Sequence, residues 1–379
     1  MKSKSKLASI GVSLGLLCFF GTVHGQESGA TETEKAPPAK FNWRDTFHWS
    51  ADLRLRYDRI SENSEILDTD RGRDRLRARF AFGMQASETI DFNVRVATSD
   101  GDPVSTNISF DSGFSTIPIA IDRAFVTWHA TSNLDLLGGK MKSPWFRAAS
   151  NSMHFDSDLN PEGIAALYKS ANGMFFGSLG RFVVDERSSG DDTLLITAQG
   201  GVKFDIGSDS QLTAALGYFD YTDTIGNTPF YLDQPKGNSV DVAGNLIYDY
   251  DILELGVEFK TKIGDFPLTL FAVTAQNSEA PEDTAYAFGV KTSSLTSRDN
   301  LDLSYSYHST DADAVIGTFT DSDFAGGNTD SNGHFIRVIY ALRDNIELGG
   351  TFIISERGEF ADNKSDYDRA QLDIVFLFE

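Results

Sequence analysis

From Thr46 onward, apolar and polar residues alternate with a period of two rather than with helical spacing. Over 46–60, Phe47, Trp49, Ala51, Leu53, Leu55 and Tyr57 share one face, while His48, Ser50, Asp52, Arg54, Arg56 and Asp58 share the other. The design recurs. Leu253, Leu255, Val257 and Phe259 oppose Glu254, Glu258 and Lys260, and Leu301, Leu303, Tyr305 and Tyr307 oppose Asp302, Ser304, Ser306 and His308. The last run sets Leu372, Ile374, Phe376 and Phe378 against Gln371 and Asp373. Strands are predicted at 46–60, 72–87, 90–99, 120–130, 133–142, 162–170, 173–184, 192–205, 209–221, 251–262, 266–276, 284–294, 299–309, 332–342, 345–356 and 366–378. Alternation blurs in 120–130, 162–170, 173–184 and 266–276.

A soluble sandwich also alternates, so length and loop spacing decide the solvent. Most of these sixteen runs have ten or more residues. Globular strands average about 5–6, and a tilted membrane strand needs about 9–11. Seven connections are tight: Glu88-Thr89, Thr131-Ser132, Ala171-Asn172, 206–208, 263–265, 295–298 and Arg343-Asp344. Eight are longer and polar: 61–71, 100–119, 143–161, 185–191, 222–250, 277–283, 310–331 and 357–365. They alternate short and long, which puts every short turn on one rim of a barrel and every long loop on the other. Among β structures, lipid tolerates only a closed sheet. The fold expected is therefore all-β, a transmembrane antiparallel barrel of about 16 strands spanning 46–379. At that strand number a barrel encloses an aqueous channel.

Two features are expected to narrow it. Arg73, Arg75, Arg77 and Arg79 recur every second residue, on the face opposite Leu76, Phe80 and Phe82. Arg54 and Arg56 before them, and Arg95 after, fall on the corresponding polar faces. Each central Arg turned toward lipid would cost about 2–4 kcal/mol, so the seven are expected to form a basic wall inside. Pairing with Asp52, Asp58, Asp74 and Asp91 would stiffen that wall. The third long loop, 143–161, mixes Trp145, Phe146, Met153 and Phe155 with Asp156 and Asp158, and Glu162 follows it. It is expected to fold inward, its apolar groups on the wall and Asp156, Asp158 and Glu162 facing the arginines as an acidic counter-wall.

The N-terminus sets the compartment. Lys2, Lys4 and Lys6 precede an uncharged run from Leu7 to Phe20, with small residues around 22–25. That is a secretory signal over 1–25, too short to span a bilayer. Leu17 before Cys18 speaks against a lipoprotein. Residues 26–45, with Pro37 and Pro38, are expected to be a periplasmic linker. The mature chain would then have no Cys, which suits an exported protein. With 55 acidic against 33 basic residues the net charge is −22, arguing against nucleic acid as a partner.

Arg71 through Arg79, Asp122-Arg123-Ala124-Phe125 before Trp128, Gly138-Gly139-Lys140, and Asp158-Leu159-Asn160-Pro161-Glu162-Gly163 together resemble the putative porin family of Gram-negative outer membranes. The layout is also similar to that of general porins, whose third loop constricts the pore. The final strand resembles the one that barrel-assembly machinery recognises, although Glu379 follows the last Phe. The resemblance implies location in the cell outer membrane, contact with its lipid and lipopolysaccharide, and passive diffusion of small hydrophilic solutes and ions. By analogy with general porins it implies a homotrimer. Residues 26–45 are too short and proline-marked for a trimerising coiled coil.

Enzyme chemistry finds little footing. Gly177-Ser178-Leu179-Gly180 lacks nucleophile-elbow spacing, and Gly138-Gly139-Lys140 lacks the rest of a phosphate loop. A barrel hydrolase would need a Ser–His pair on adjacent strands, with His129 or His308 as the candidates. No cofactor, catalytic residue or metal site is expected. Asp311, Asp313, Asp321, Asp323 and Asp330 crowd one loop without an EF-hand register, so screening by divalent ions accounts for them as well as calcium binding does. The alternative function is an adhesin or receptor barrel acting through acidic external loops.

Overall fold

The computed structural model describes residues 46–65, 68–111, 113–293 and 301–378. The expected signal 1–25, the linker 26–45, the turn 295–298 and Glu379 lie outside the described residues. One sheet holds all the strands. β1 (Phe47–Ser64), β2 (Asp68–Ser87) and β3 (Ile90–Thr98) precede a two-residue β4 (Ile108–Ser109). Then come β5 (Ile119–Thr131), β6 (Leu134–Lys140), β7 (Glu162–Lys169), β8 (Phe175–Asp185), β9 (Thr193–Ile206) and β10 (Ser210–Tyr221). β11 (Tyr250–Ile263), β12 (Phe266–Asn277), β13 (Thr284–Thr292) and β14 (Leu301–Thr310) follow. β15 (Ser331–Arg343), β16 (Ile346–Arg357) and β17 (Ser365–Phe378) complete the set.

Sixteen of these strands have seven or more residues and form an antiparallel ring. β17 returns to β1, from Ala51 opposite Phe378 to Ser64 opposite Ser365, so no edge is left unpaired. β4 was not expected: inside the second long loop it pairs with Arg75 and Leu76 of β2, beyond the stretch of β2 that the shorter β3 pairs.

The outer face is apolar and exposed, as in Leu179 at 62 % and Leu255 at 45 %. Around the short-turn rim stand Trp49, Trp128, Tyr168, Phe175, Phe204, Phe266 and Phe378, all exposed. A soluble protein would bury such a band, whereas at a membrane interface aromatic rings are at home.

Three of the four strands with blurred alternation, β5, β8 and β12, have two physical causes between them. In β5, Arg95 of β3 pairs with Arg123 but Val96 pairs with Ile121, so Asp122 is an inserted residue. A bulge of this kind shifts the face of everything beyond it. Ile119 and Ile121 are exposed before the bulge, Val126 and Trp128 after it, and the outward parity changes from odd to even. In β8 and β12 the inner face itself carries apolar residues: Phe182, Phe271 and Val273 are buried in one cluster with Trp145, Met153, Phe155, Val315 and Ile316. These strands bury apolar side chains against loops on a face that is polar elsewhere in the ring.

Candidate functional site

The charged faces of β1, β2 and β17 form one wall. Arg56 grips Asp373 with Nε and Nη2 at 2.7 and 2.8 Å and reaches Asp323 with Nη1 at 3.0 Å. Arg369 grips Asp58 at 2.8 Å twice and also meets Asp323 at 2.8 Å. Arg73 pairs with Asp58 as well, and Arg75 lies 3.8 Å from it while donating to the Asn107 carbonyl at 2.7 Å. Arg77 and Arg79 share the two oxygens of Asp52 at 2.7–3.0 Å. Arg54 donates twice to the Asn107 side-chain oxygen, at 2.5 and 3.2 Å. Such two-pronged contacts hold the side chains in one geometry. Of the four aspartates expected as partners, Asp52 and Asp58 serve; Asp91 bonds His129 instead.

The β5 bulge extends the wall. Arg95 pairs with Asp122, whose other oxygen accepts from Asn160 at 2.8 Å, and Arg123 donates to Asn160 at 2.6 Å. Period two alone separates residues 122 and 123; the inserted residue lets both contribute to this network.

Residues 141–161 carry one short 3₁₀ turn, Ala148–Ser150. Trp145 packs on Phe155, Phe182 and Phe219 at ring separations of 4.6, 5.8 and 5.5 Å. Gln199 accepts from the Phe146 amide at 2.7 Å and donates to its carbonyl at 3.0 Å. Glu258 accepts from the Ala149 amide at 2.6 Å, Lys291 donates to the Ala149 carbonyl, and His154 meets Glu254 at 2.9 Å. Each wall partner lies on the face opposite Leu216, Leu253 and Leu255.

A second loop, 311–330, joins the first, and sequence reasoning missed its role. The Asp156 amide donates to the Phe319 carbonyl at 2.8 Å, the Asp321 amide to Ser152 at 3.1 Å, and the Ser322 amide to the Asp156 carboxylate at 3.1 Å. Its acidic residues, weighed above as calcium ligands, have other partners. Asp323 meets Arg56 and Arg369, Asp313 binds Ser239 and Tyr250, and Asp330 accepts from the amides of Phe360 and Ala361. Among the described residues no group of three potential ligands could hold a metal ion.

Burial, with Asp321 and Asp158 nearby, pushes the Asp156 carboxyl well above its ordinary value. Burial, reinforced by Asp323, raises Asp321 to about 6. Burial works on Asp323 too, but Arg369 and Arg56 outweigh it and hold that carboxyl far below the usual range.

A cavity of about 620 Å³ lies between the wall and these loops, lined by Arg54, Arg56, Arg77, Arg79 and Arg95 on one side and Asp156 and Asp158 on another. Asp158 comes within 3.5 Å of Arg79. Glu162 departs from the expectation. It is exposed, shares the parity of Ile164 and Tyr168 on the outer face of β7, and pairs with Lys140 at 2.6 Å. One strand step therefore removes it from the counter-wall. Arg73 and Arg75 do not line the cavity, although they share the face of Arg77 and Arg79. Arg369, Asp373, Asn107 and Asn160 were not expected at the site from sequence, and Asp323 was weighed only as a calcium ligand. Arg369 and Asp373 share the polar parity of Gln371, a signal that could have found them; the loop residues had none.

The Ser–His test has a particular result. His308 bonds Ser306 at 2.9 Å and Asn151 at 3.2 Å, but Ser306 lies on the same strand and no carboxylate bonds His308 among the described residues. His129 lies between Asp135 and Asp91 at 2.7 and 3.0 Å.

The family model described as "Putative porin" matches residues 59–235 and 238–378. Among curated protein sequences none matches the chain. Among solved structures, the high-pH form of Pseudomonas putida OprB aligns with a TM-score of 0.61 at 11 % identity, covering 88 % of this chain and 95 % of that one. The outer membrane channel DcaP of Acinetobacter baumannii aligns at 0.52 and 12 %, covering 90 % and 100 %. Vibrio cholerae OmpT in its trimer form aligns at 0.50 and 11 %, covering 88 % and 100 %. At such identities the likeness is one of fold.

Proposed function

The chain belongs to the putative porin family, an outer-membrane channel by family and fold, and from that premise we propose that it passes small hydrophilic solutes and ions passively through a charged constriction. In this reading residues 143–161 fold inward and narrow the pore. Arg54, Arg56, Arg73, Arg75, Arg77, Arg79 and Arg95 are its basic wall, with Asp156 and Asp158 opposite. The observation that carries the reading is the cavity on the charged face, where cations on strands lie a few ångströms from carboxylates on a loop. Fixed charges of opposite sign across a narrow aqueous gap create a field that orders water and sorts solutes by size and charge.

The same reading carries residues 1–25 as an export signal, 26–45 as a periplasmic linker, and 46–379 as the pore. It takes surrounding lipid and lipopolysaccharide as partners, and a homotrimer as the assembly, for which the trimer form of OmpT is the support. No catalytic residue is assigned, because among the described residues the Ser306–His308 contact lacks an orienting carboxylate. Diffusion is favoured over adhesion because the longest loop, 222–249, is bonded to a neighbouring loop. Asn238 donates to the Ala312 and Val315 carbonyls at 2.8 Å, and Phe230 stacks on Phe319. Purified protein in a planar bilayer should show stepwise, ohmic conductance. A bilayer that stays silent at every protein concentration, with the barrel folded by heat-modifiable migration, sinks the proposal.

A further inference from the structure

The carboxylates and cations around the cavity do not balance. Asp373 and Asp323 are engaged by Arg56, and Asp158 faces Arg79. Asp156 accepts the amides of Asp158 and Ser322, Asp321 accepts that of Asp323, and Glu347, the sixth lining carboxylate, has no cation within ion-pair distance among the described residues. Six lining cations have no carboxylate within ion-pair distance among the described residues: Arg54, Arg123, Lys142, Arg147, Lys291 and Arg337. Four of them bond only neutral oxygens, on Asn107, Asn160, Phe155 and Ala149. Among the described residues the side chains of Lys142 and Arg337 make no hydrogen bond, and Arg337 is exposed.

Neutral partners fix a cation's position and leave its charge uncompensated. Five of the six, Arg54 apart, also act on one another. Burial first, then Arg123 and Arg147, lower the pKa of Lys142, while Arg337 and Arg147 repel Lys291, and Glu258, beyond ion-pair distance, attracts it. Arg147 acts on both lysines, and the carboxylates that act on it, Asp156, Glu254 and Asp321, stand beyond ion-pair distance. Evenly matched walls would leave no such excess.

The geometry points to a lumenal binding site for small oxyanions carrying two negative charges, dicarboxylate or phosphate in chemistry, lined by these six cations. The inference rests on the channel reading and deepens it by naming the solute class. The cations come from β1, β5, β13, β15 and the loop 141–161, so a solute with two charges meets an excess of positive charge from several elements at once, where a monoanion balances only one of them. A volume of 620 Å³ accommodates such a solute.

The test is single-channel recording of the whole protein in a potassium chloride gradient, with succinate, inorganic phosphate, acetate and glucose added in turn. Chloride should be favoured about fivefold over potassium. Succinate or phosphate should reduce the chloride current at about one tenth the concentration that acetate requires, and glucose should not reduce it measurably. Reduction by succinate alone, or by phosphate alone, supports the site and assigns its ligand. The double variant Lys142→Gln/Arg337→Gln loses no hydrogen bond and should weaken the dianion effect about fivefold; Arg123→Gln/Arg147→Gln should do the same. Open channels that favour potassium, that treat succinate and phosphate like acetate, or that ignore both double variants overturn the inference and leave the channel standing. Absence of any conductance overturns the channel reading itself.

Discussion

Asp321 and Asp323 are two residues apart in one loop, yet their surroundings move them in opposite directions. Asp321, raised to about 6, binds its proton in the folded protein at pH values where an unfolded carboxyl, near 3.9, has released it. Its ionisation therefore costs stability as the pH rises through that window. Asp323 is depressed by Arg369 and Arg56 after burial has worked against it, so its contribution is present above the unfolded value and is lost as the pH falls further. Between about pH 4 and 6 the contact between the two loops thus has a neutral Asp321 beside an ionised Asp323. Acidification from pH 7.5 to 5 removes negative charge from the cavity, and reversal potentials should move toward chloride. Asp321→Asn should remove the larger part of that shift; a variant that keeps all of it assigns the effect to other groups. At this scale the common face of the arginines was legible because a two-residue period leaves an Arg ladder no choice of face. Glu162 was misread because it lies one step past the loop, where the strand parity has already begun.

The elements differ in what they reveal. All sixteen long strands could be placed from alternation and turn residues, because in most of them lipid and water impose opposite demands on successive side chains. Three of the blurred strands lack one of those demands. β8 and β12 face loops instead of water, and β5 changes parity at Asp122. The loop 141–161 is held through Trp145, 6 % exposed and ringed by Phe155, Phe182 and Phe219. Trp145→Ala should remove about 3–5 kcal/mol of that packing. Since the ring of backbone hydrogen bonds does not depend on it, the barrel should still migrate as folded, while open-channel conductance and current noise rise. Conductance and noise equal to those of the parent would show that the loop does not limit the pore.

At the scale of the whole molecule, net charge and local charge part company. The chain is acidic by 22 charges, yet the cavity is lined by more cations than carboxylates. Charges beyond about one Debye length, roughly 10 Å at 0.1 M salt, are screened from a solute there, so the bulk acidity does not set what the cavity attracts. The outer surface obeys a different rule. Leu179, 62 % exposed in the middle of β8, faces outward, and Leu179→Arg should cost about 2–4 kcal/mol of bilayer stability. Urea titration of the folded fraction in lipid vesicles should record a loss of that size, and an unchanged midpoint would mean that this face does not meet hydrocarbon.

Alternation, turn spacing and the parity of charged residues are local properties, and they alone determined the strands, their outward faces and the side on which the arginines stand. Which carboxylate meets which arginine, the bulge at Asp122, and the docking of 141–161 on 311–330 join residues far apart in the chain: Arg56 with Asp373, Asp156 with Ser322, Arg123 with Asn160. Closure of the ring brings those residues within bonding distance. No repeat of two residues encodes that, so the surplus of unpaired cations became visible only when the barrel was complete.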